Sequence, residues 1–250
     1  MLKSFSLFVI TCLTIVSCSK KNDVVFQVPA VTTTISPMTD TSIKHIDTTT
    51  FRTYLALGDS YTIGQSVDVA DRFPMQTVKL LQLDGIKIGT PEIIAQTGWT
   101  TDNLLSSLRY AAPSRPTYDI VTLLIGVNNQ YQHKPQQEYA DQFLSLLTKS
   151  IAYAGNRKNR VIVLSIPDYS VTPFANGSDR QSIAKDIDAF NAINKHISDS
   201  AGTFYLDVTG FSRLAGSETS LVAVDGLHPS GSQYSLWARD LAPLILKALQ

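Results

Sequence analysis

Ile120-Val-Thr-Leu-Leu-Ile125 runs directly into Gly126-Val-Asn-Asn129, and how this stretch reads decides the fold. Five of the first six residues are apolar and none alternates with a polar neighbour, the pattern of a strand covered on both faces. A helix buried to the same degree needs roughly twice that length. Strands of this kind sit in parallel sheets, where the crossovers lay helices over either side. The glycine and two asparagines that follow are turn residues, so the segment leaves the sheet at a polar loop.

The same pattern recurs outward in both directions. Tyr54-Leu-Ala-Leu57 and Glu92-Ile-Ile-Ala95 precede it, and Val161-Ile-Val-Leu-Ser-Ile166 and Phe204-Tyr-Leu-Asp-Val208 follow, giving five candidate strands. Helical periods fill the gaps. Pro74 suits the first turn of a helix reaching about Leu83, and Leu104, Leu105 and Leu108 mark the next. Pro135 opens a third, with Tyr139, Phe143, Leu146, Leu147 and Ile151 on one face and Gly155 as its stop. Ile183, Ile187, Phe190 and Ile197 give a fourth, capped by Ser178 or Asp179. The last runs from about Ser232 to Leu249, and Pro243 is expected to kink or break it. This alternation predicts a three-layer α/β/α fold, a doubly wound, mostly parallel five-stranded sheet with its chemistry at the C-terminal ends of the strands. There is no internal repeat, and residues 51–250 make one domain of ordinary size.

The N-terminus reads differently. Met1-Leu-Lys3 and the apolar run Phe5 to Val16 form an export signal, too short to span a bilayer. The run ends in Ile15-Val-Ser-Cys18, which resembles a bacterial lipobox. That resemblance implies a signal peptide over residues 1–17, cleavage before Cys18, lipidation of its thiol, and an exported, membrane-anchored protein facing periplasm or cell exterior. Cys12 would leave with the signal, so no disulfide is expected. From Cys18 to about residue 50, Thr, Ser, Lys and Asp with Pro29 and Pro37 suit a solvated tether, whose root-mean-square reach is roughly 30 Å.

Composition excludes several classes. Lys and Arg number 21 and Asp and Glu 21, so neither a nucleic-acid footprint nor a polybasic membrane patch is present. No His-Glu-x-x-His, paired-cysteine zinc pattern, phosphate loop or Gly-x-Gly-x-x-Gly occurs, and no metal or cofactor is implied.

Four segments fall at functional positions of such a sheet. Gly58-Asp-Ser-Tyr61 follows the first strand, where a serine is presented above the sheet edge. Asp225-Gly-Leu-His-Pro229 precedes the last helix, and its Asp-x-x-His spacing lets one loop supply both a base and the carboxylate that orients it. Gly98, in Thr97-Gly-Trp-Thr-Thr101, allows close backbone approach to an oxyanion, and Asn128 adds an uncharged amide donor. Taken singly, each is equally good turn chemistry. No Gly-x-Ser-x-Gly elbow occurs, which disfavours the usual α/β-hydrolase arrangement.

Together, in this order, the four resemble the signature blocks of the SGNH hydrolase superfamily, the GDSL esterases and lipases, over about residues 53–248. The resemblance implies a flavodoxin-like fold and a serine esterase with Ser60, Asp225 and His228 as catalytic triad. It also implies an oxyanion hole from the amides of Ser60 and Gly98 and the side chain of Asn128. Tyr61 stands at the variable fourth position of the first block, and Asn129 stands where the third often has Asp. The expected substrates are small-molecule or glycan esters with short acyl groups. The alternatives are a lysophospholipase or acyltransferase, and a noncatalytic glycan- or lipid-binding surface lipoprotein. Oligomeric state is not legible.

Overall fold

A computed structural model describes residues 46–250. The signal segment, Cys18 and the tether up to residue 45 lie outside the described residues. Ile46 packs against the core, and the Asp47 carboxylate accepts the Thr49 amide at 2.8 Å.

Five parallel strands form one sheet in the order β2-β1-β3-β4-β5: β1 Tyr54–Asp59, β2 Glu92–Gln96, β3 Ile120–Leu124, β4 Val161–Leu164 and β5 Phe204–Leu206. The first-to-second connection runs one way across the sheet and the rest run the other. This order is doubly wound, and it opens a crevice at the C-terminal ends of β1 and β3, where the direction switches. Every residue of β1, β3 and β4 is buried, as their unbroken apolar runs require, while the edge strand β2 is half-buried.

Right-handed crossovers then fix the layers. Helices α2 (Phe73–Leu83) and α8 (Gly231–Leu249) pack on each other on one face, and α3 (Thr101–Tyr110), α5 (Gln136–Tyr153) and α6 (Arg180–Ala201) adjoin in series on the other. Phe73, Tyr234 and Trp237 knit α2 to α8, with ring centroids 5.0 to 6.1 Å apart. On the opposite face Tyr139 of α5 stacks at 4.8 Å on Phe190 of α6. Three shorter helices complete the order: α1 Ser60–Ile63, α4 Val127–Tyr131 and α7 Thr209–Arg213.

The structure refines several sequence expectations. Strands β3, β4 and β5 end one or two residues early, because Ile125, Ser165, Ile166 and Val208 already form the loops above the sheet although all are buried. Apolar pattern reports burial, and burial continues past the last ladder hydrogen bond. Of the two candidate caps for α6, Asp179 accepts the Ser182 amide at 3.0 Å. Of residues 46–50, read as the end of the tether, Ile46 packs against the core and the other four are exposed. Finally, Pro243 does not break α8, which runs unbroken to Leu249. The carbonyl it leaves unpaired is that of Arg239, an exposed residue whose backbone water can solvate.

Candidate active site

β1 delivers the first group. Asp59 ends the strand and caps α1: its Oδ1 accepts the Tyr61 amide at 3.0 Å, making Ser60 the first helical residue. Asp59 is wholly buried, which pushes its carboxyl up to about 7 against the opposing pull of the Tyr61 amide. The turn from strand to helix is tight enough to require glycine before it. A Cβ on Gly58 would lie 2.1 Å from Thr62 Oγ1 and 2.4 Å from the Leu124 carbonyl.

β3 delivers the second. Gly126 takes φ 132°, and a Cβ there would meet the Tyr139 ring at 2.6 Å. That ring is itself anchored, since the Tyr139 hydroxyl donates to the Ile125 carbonyl at 3.2 Å and accepts the Asn194 amide at 3.1 Å. The chain therefore turns sharply into α4, where Asn128 Nδ2 donates to the Trp99 carbonyl at 3.0 Å. An amide nitrogen carries two hydrogens. With one on Trp99, the plane of the group is set and the second has no partner among the described residues.

Asn129 looks the other way and is fully buried. It accepts the Thr101 amide at 3.0 Å and donates to Thr101 Oγ1 at 2.7 Å, pinning the start of α3 to the loop after β3. An amide side chain does both jobs here, which a carboxylate could not. The loop after β2 thus reaches the site through two asparagines. Within it Gly98 lies in a left-handed turn at φ 82°.

The loop before α8 supplies the third element. Asp225 Oδ1 accepts the amides of Leu227 at 2.9 Å and His228 at 3.0 Å, and Oδ2 accepts His228 Nδ1 at 2.6 Å. An ionised Asp225 keeps the proton on Nδ1 and leaves Nε2 as the acceptor. Burial alone would raise the Asp225 carboxyl. Hydrogen bonds from Ser66, His228 and the two amides outweigh it and hold the group well below the usual carboxylate range. Tyr61 packs on the imidazole with ring centroids 5.1 Å apart, and the Phe174 amide donates to the Gly226 carbonyl at 2.9 Å, fastening this loop to the segment after β4.

These elements meet at one cavity of about 90 Å³, with Ser60, Asn128 and His228 on its wall and Tyr131, Tyr169 and Phe174 opposite. The three aromatic rings touch one another, with centroids 5.9, 6.1 and 6.2 Å apart. The Tyr169 hydroxyl is held by Gln130 Oε1 at 2.9 Å. Of the residues singled out from sequence, Ser60, Asn128 and His228 line this space and Asp225 stands behind the imidazole. Gly98 does not line it and adjoins Trp99, the residue that orients Asn128. Trp99 packs against the core, and His133 is exposed outside the cavity. Sequence reading missed Ser66, whose hydroxyl donates to Asp225 Oδ2 at 2.6 Å from 159 residues away; no local signal marks it. No cluster of His, Cys, Asp or Glu able to hold a metal occurs among the described residues, and none of their helices is long and apolar enough to cross a membrane.

Known proteins place this arrangement. The GDSL-like lipase/acylhydrolase family matches residues 56–236. No curated protein matches the chain. Among solved structures, the chain is similar in fold to TesA, with TM-score 0.62 and 20% identity over 80% of this chain and 100% of that one. It is similar to the lipase Lip_vut3 from a goat rumen metagenome, with TM-score 0.61 and 20% identity over 78% and 97% of the two chains. It is also similar to Axe2, an acetylxylan esterase from Geobacillus stearothermophilus, with TM-score 0.57 and 17% identity over 79% and 94%. Because the family match spans most of the chain, from β1 into α8, the chain belongs to the GDSL-like lipase/acylhydrolase family and is an ester-hydrolysing enzyme.

Proposed function

We propose that this enzyme removes short acyl groups from carbohydrate or another small alcohol through an acyl-enzyme on Ser60. His228 takes the Ser60 proton as the hydroxyl oxygen attacks the acyl carbonyl, and Asp225 holds the imidazole and stabilises its protonated form. The amide of Ser60 and the second Asn128 hydrogen serve the developing oxyanion; the Gly98 amide, which the family resemblance adds, is not on the cavity wall. His228 returns its proton to the departing alcohol and then draws one from the water that releases the acid.

The observation that carries the substrate reading is the size of the cavity beside Ser60. At about 90 Å³ it is well short of the roughly 300–1,000 Å³ of pockets that enclose drug-sized ligands. An acetyl group fits; a fatty chain would lie outside, in water. The half-exposed rings of Tyr131 and Phe174 at the rim offer flat apolar faces of the kind on which a sugar ring stacks. Axe2, whose fold the chain shares, is an acetylxylan esterase.

Hydrolysis of p-nitrophenyl esters tests this directly. We expect kcat/KM to peak between acetate and butyrate and to fall about tenfold or more by octanoate. Each methylene that found an apolar wall would instead add up to about 0.8 kcal/mol, so a steady rise to palmitate would sink the proposal and favour a lysophospholipid.

The proposal extends to location: an exported enzyme held at a membrane by lipid on Cys18. It rests on the Ile15-Val-Ser-Cys18 sequence and the polar stretch behind it. A Cys18→Ser variant should lose lipid label and leave the membrane fraction while keeping the specific activity of the soluble enzyme, because a diacylglyceryl group supplies the two chains that stable anchoring takes. Full retention of that variant on membranes in high salt would place the anchor elsewhere.

A further inference from the structure

The geometry points to Ser66 as a positioning residue that acts on the reaction through Asp225; this rests on the triad proposed above. Asp225 Oδ2 accepts two donors at once, His228 Nδ1 at 2.6 Å and Ser66 Oγ at 2.6 Å, while Oδ1 is filled by two backbone amides. Three of the four donors come from the carboxylate's own loop, which moves with it. Ser66 alone ties it to a different element. With that donor in place the carboxylate cannot swing with its loop away from the segment that carries Ser60.

The tie is short and built from both sides. The Gln65 amide donates to the Ser60 carbonyl at 3.0 Å, so residues 60–66 close on themselves just beyond α1. Gln65 Oε1 accepts Thr97 Oγ1 at 2.7 Å, one residue before Gly98. Ser66 then reaches the other way to Asp225. Two adjacent side chains thereby join the loops after β1 and β2 to the loop before α8. Ser66 adopts φ 66°, a left-handed conformation costly for a residue with a Cβ, two residues after Gly64 at φ 64°. A serine kept in that conformation in place of glycine fits a position where the hydroxyl is what matters.

The bond lies at the surface, where water competes for both partners, so its loss should slow the chemistry without abolishing it. Two variants separate the hydroxyl from the backbone. Ser66→Ala removes the donor and keeps the strained conformation, whereas Ser66→Gly removes the donor and relaxes it, so the glycine variant should fold at least as stably as the parent. We expect both to lower kcat for p-nitrophenyl acetate about tenfold with KM unchanged, and to slow fluorophosphonate labelling of Ser60 in parallel. In the Asp225→Asn background, Ser66→Gly should cause no further loss, because the two act as one unit. Full kcat in Ser66→Gly, a change confined to KM, or losses that multiply with Asp225→Asn would each overturn the role of Ser66. Mass spectrometry of the labelled parent separates the two layers of inference. If Ser60 takes no label, the triad and this inference fall together; if Ser60 is labelled and Ser66→Gly behaves as the parent, only Ser66 falls.

Discussion

Ser60→Ala is expected to lower kcat for short-chain p-nitrophenyl esters by about 10⁴-fold to 10⁶-fold while leaving the melting temperature within a few degrees of the parent. The size of the loss follows from the absence of a substitute. Ser60 is the hydroxyl that the strand-to-helix turn brings to the cavity wall with His228, and an alanine there has no oxygen to form an acyl-enzyme. What survives is the binding and oxyanion stabilisation that the remaining groups still offer to water. The fold should be indifferent, because the side chain is small and the helical start is set by Asp59, whose hydrogen bond runs to the Tyr61 amide and not to Ser60. Steady-state kinetics with calorimetry checks both halves. A variant retaining a tenth of the parental kcat would remove Ser60 from the mechanism; one that unfolds would show that the turn depends on its hydroxyl.

His228 and Asp225 should not be scored by adding their separate losses to that of Ser60, since in the proposed mechanism the three work in one step and such groups are strongly non-additive. Asp225 is the softer of the two. Its carboxylate orients an imidazole that Tyr61 also packs against at 5.1 Å, so part of the ring's placement survives without it.

The strands were legible because buried parallel strands have a signature that does not depend on their partners. Ile120–Leu124 and Val161–Leu164 carry unbroken β-branched and leucine runs, and a doubly wound parallel sheet is expected once such strands alternate with helices. The ends of the strands were less legible, since Ile125 and Ile166 are as buried as the residues before them but lie in loops. Site residues divide on the same physical line. Ser60, Asn128, Asp225 and His228 could be named because their segments, each ordinary turn chemistry when read singly, together and in order resemble the blocks of one family. Ser66 could not. A polar residue in a surface turn has no periodicity, and what brings it to the site is contact with a residue that is distant in sequence. Trp99 illustrates the converse: an aromatic in the correct loop turned inward, and it is its carbonyl that serves the site.

That carbonyl gives the second large prediction its particular form. Asn128→Ala should lower kcat by about 10²-fold to 10³-fold, the usual cost of one oxyanion donor, with KM little altered. The reason for a kcat effect is geometric. The hydrogen bond from Asn128 Nδ2 to the Trp99 carbonyl at 3.0 Å fixes the amide before substrate arrives, so in the proposed mechanism its second hydrogen meets the oxyanion without reorganisation. A ground-state carbonyl, carrying less charge and lying in a different place, gains less from the same donor. Asn128→Asp supplies the sharper contrast. It is nearly the same size, yet it sets an acceptor against the Trp99 carbonyl and a negative charge beside the oxyanion, so its kcat should fall below that of the alanine variant at neutral pH. As pH falls and the introduced carboxyl takes up a proton, it regains one donor, and its deficit relative to Asn128→Ala should narrow. If Asn128→Ala raises KM and spares kcat, the amide binds substrate in the ground state and the oxyanion is held elsewhere; if the aspartate variant outperforms the alanine variant at neutral pH, no negative charge develops near this side chain.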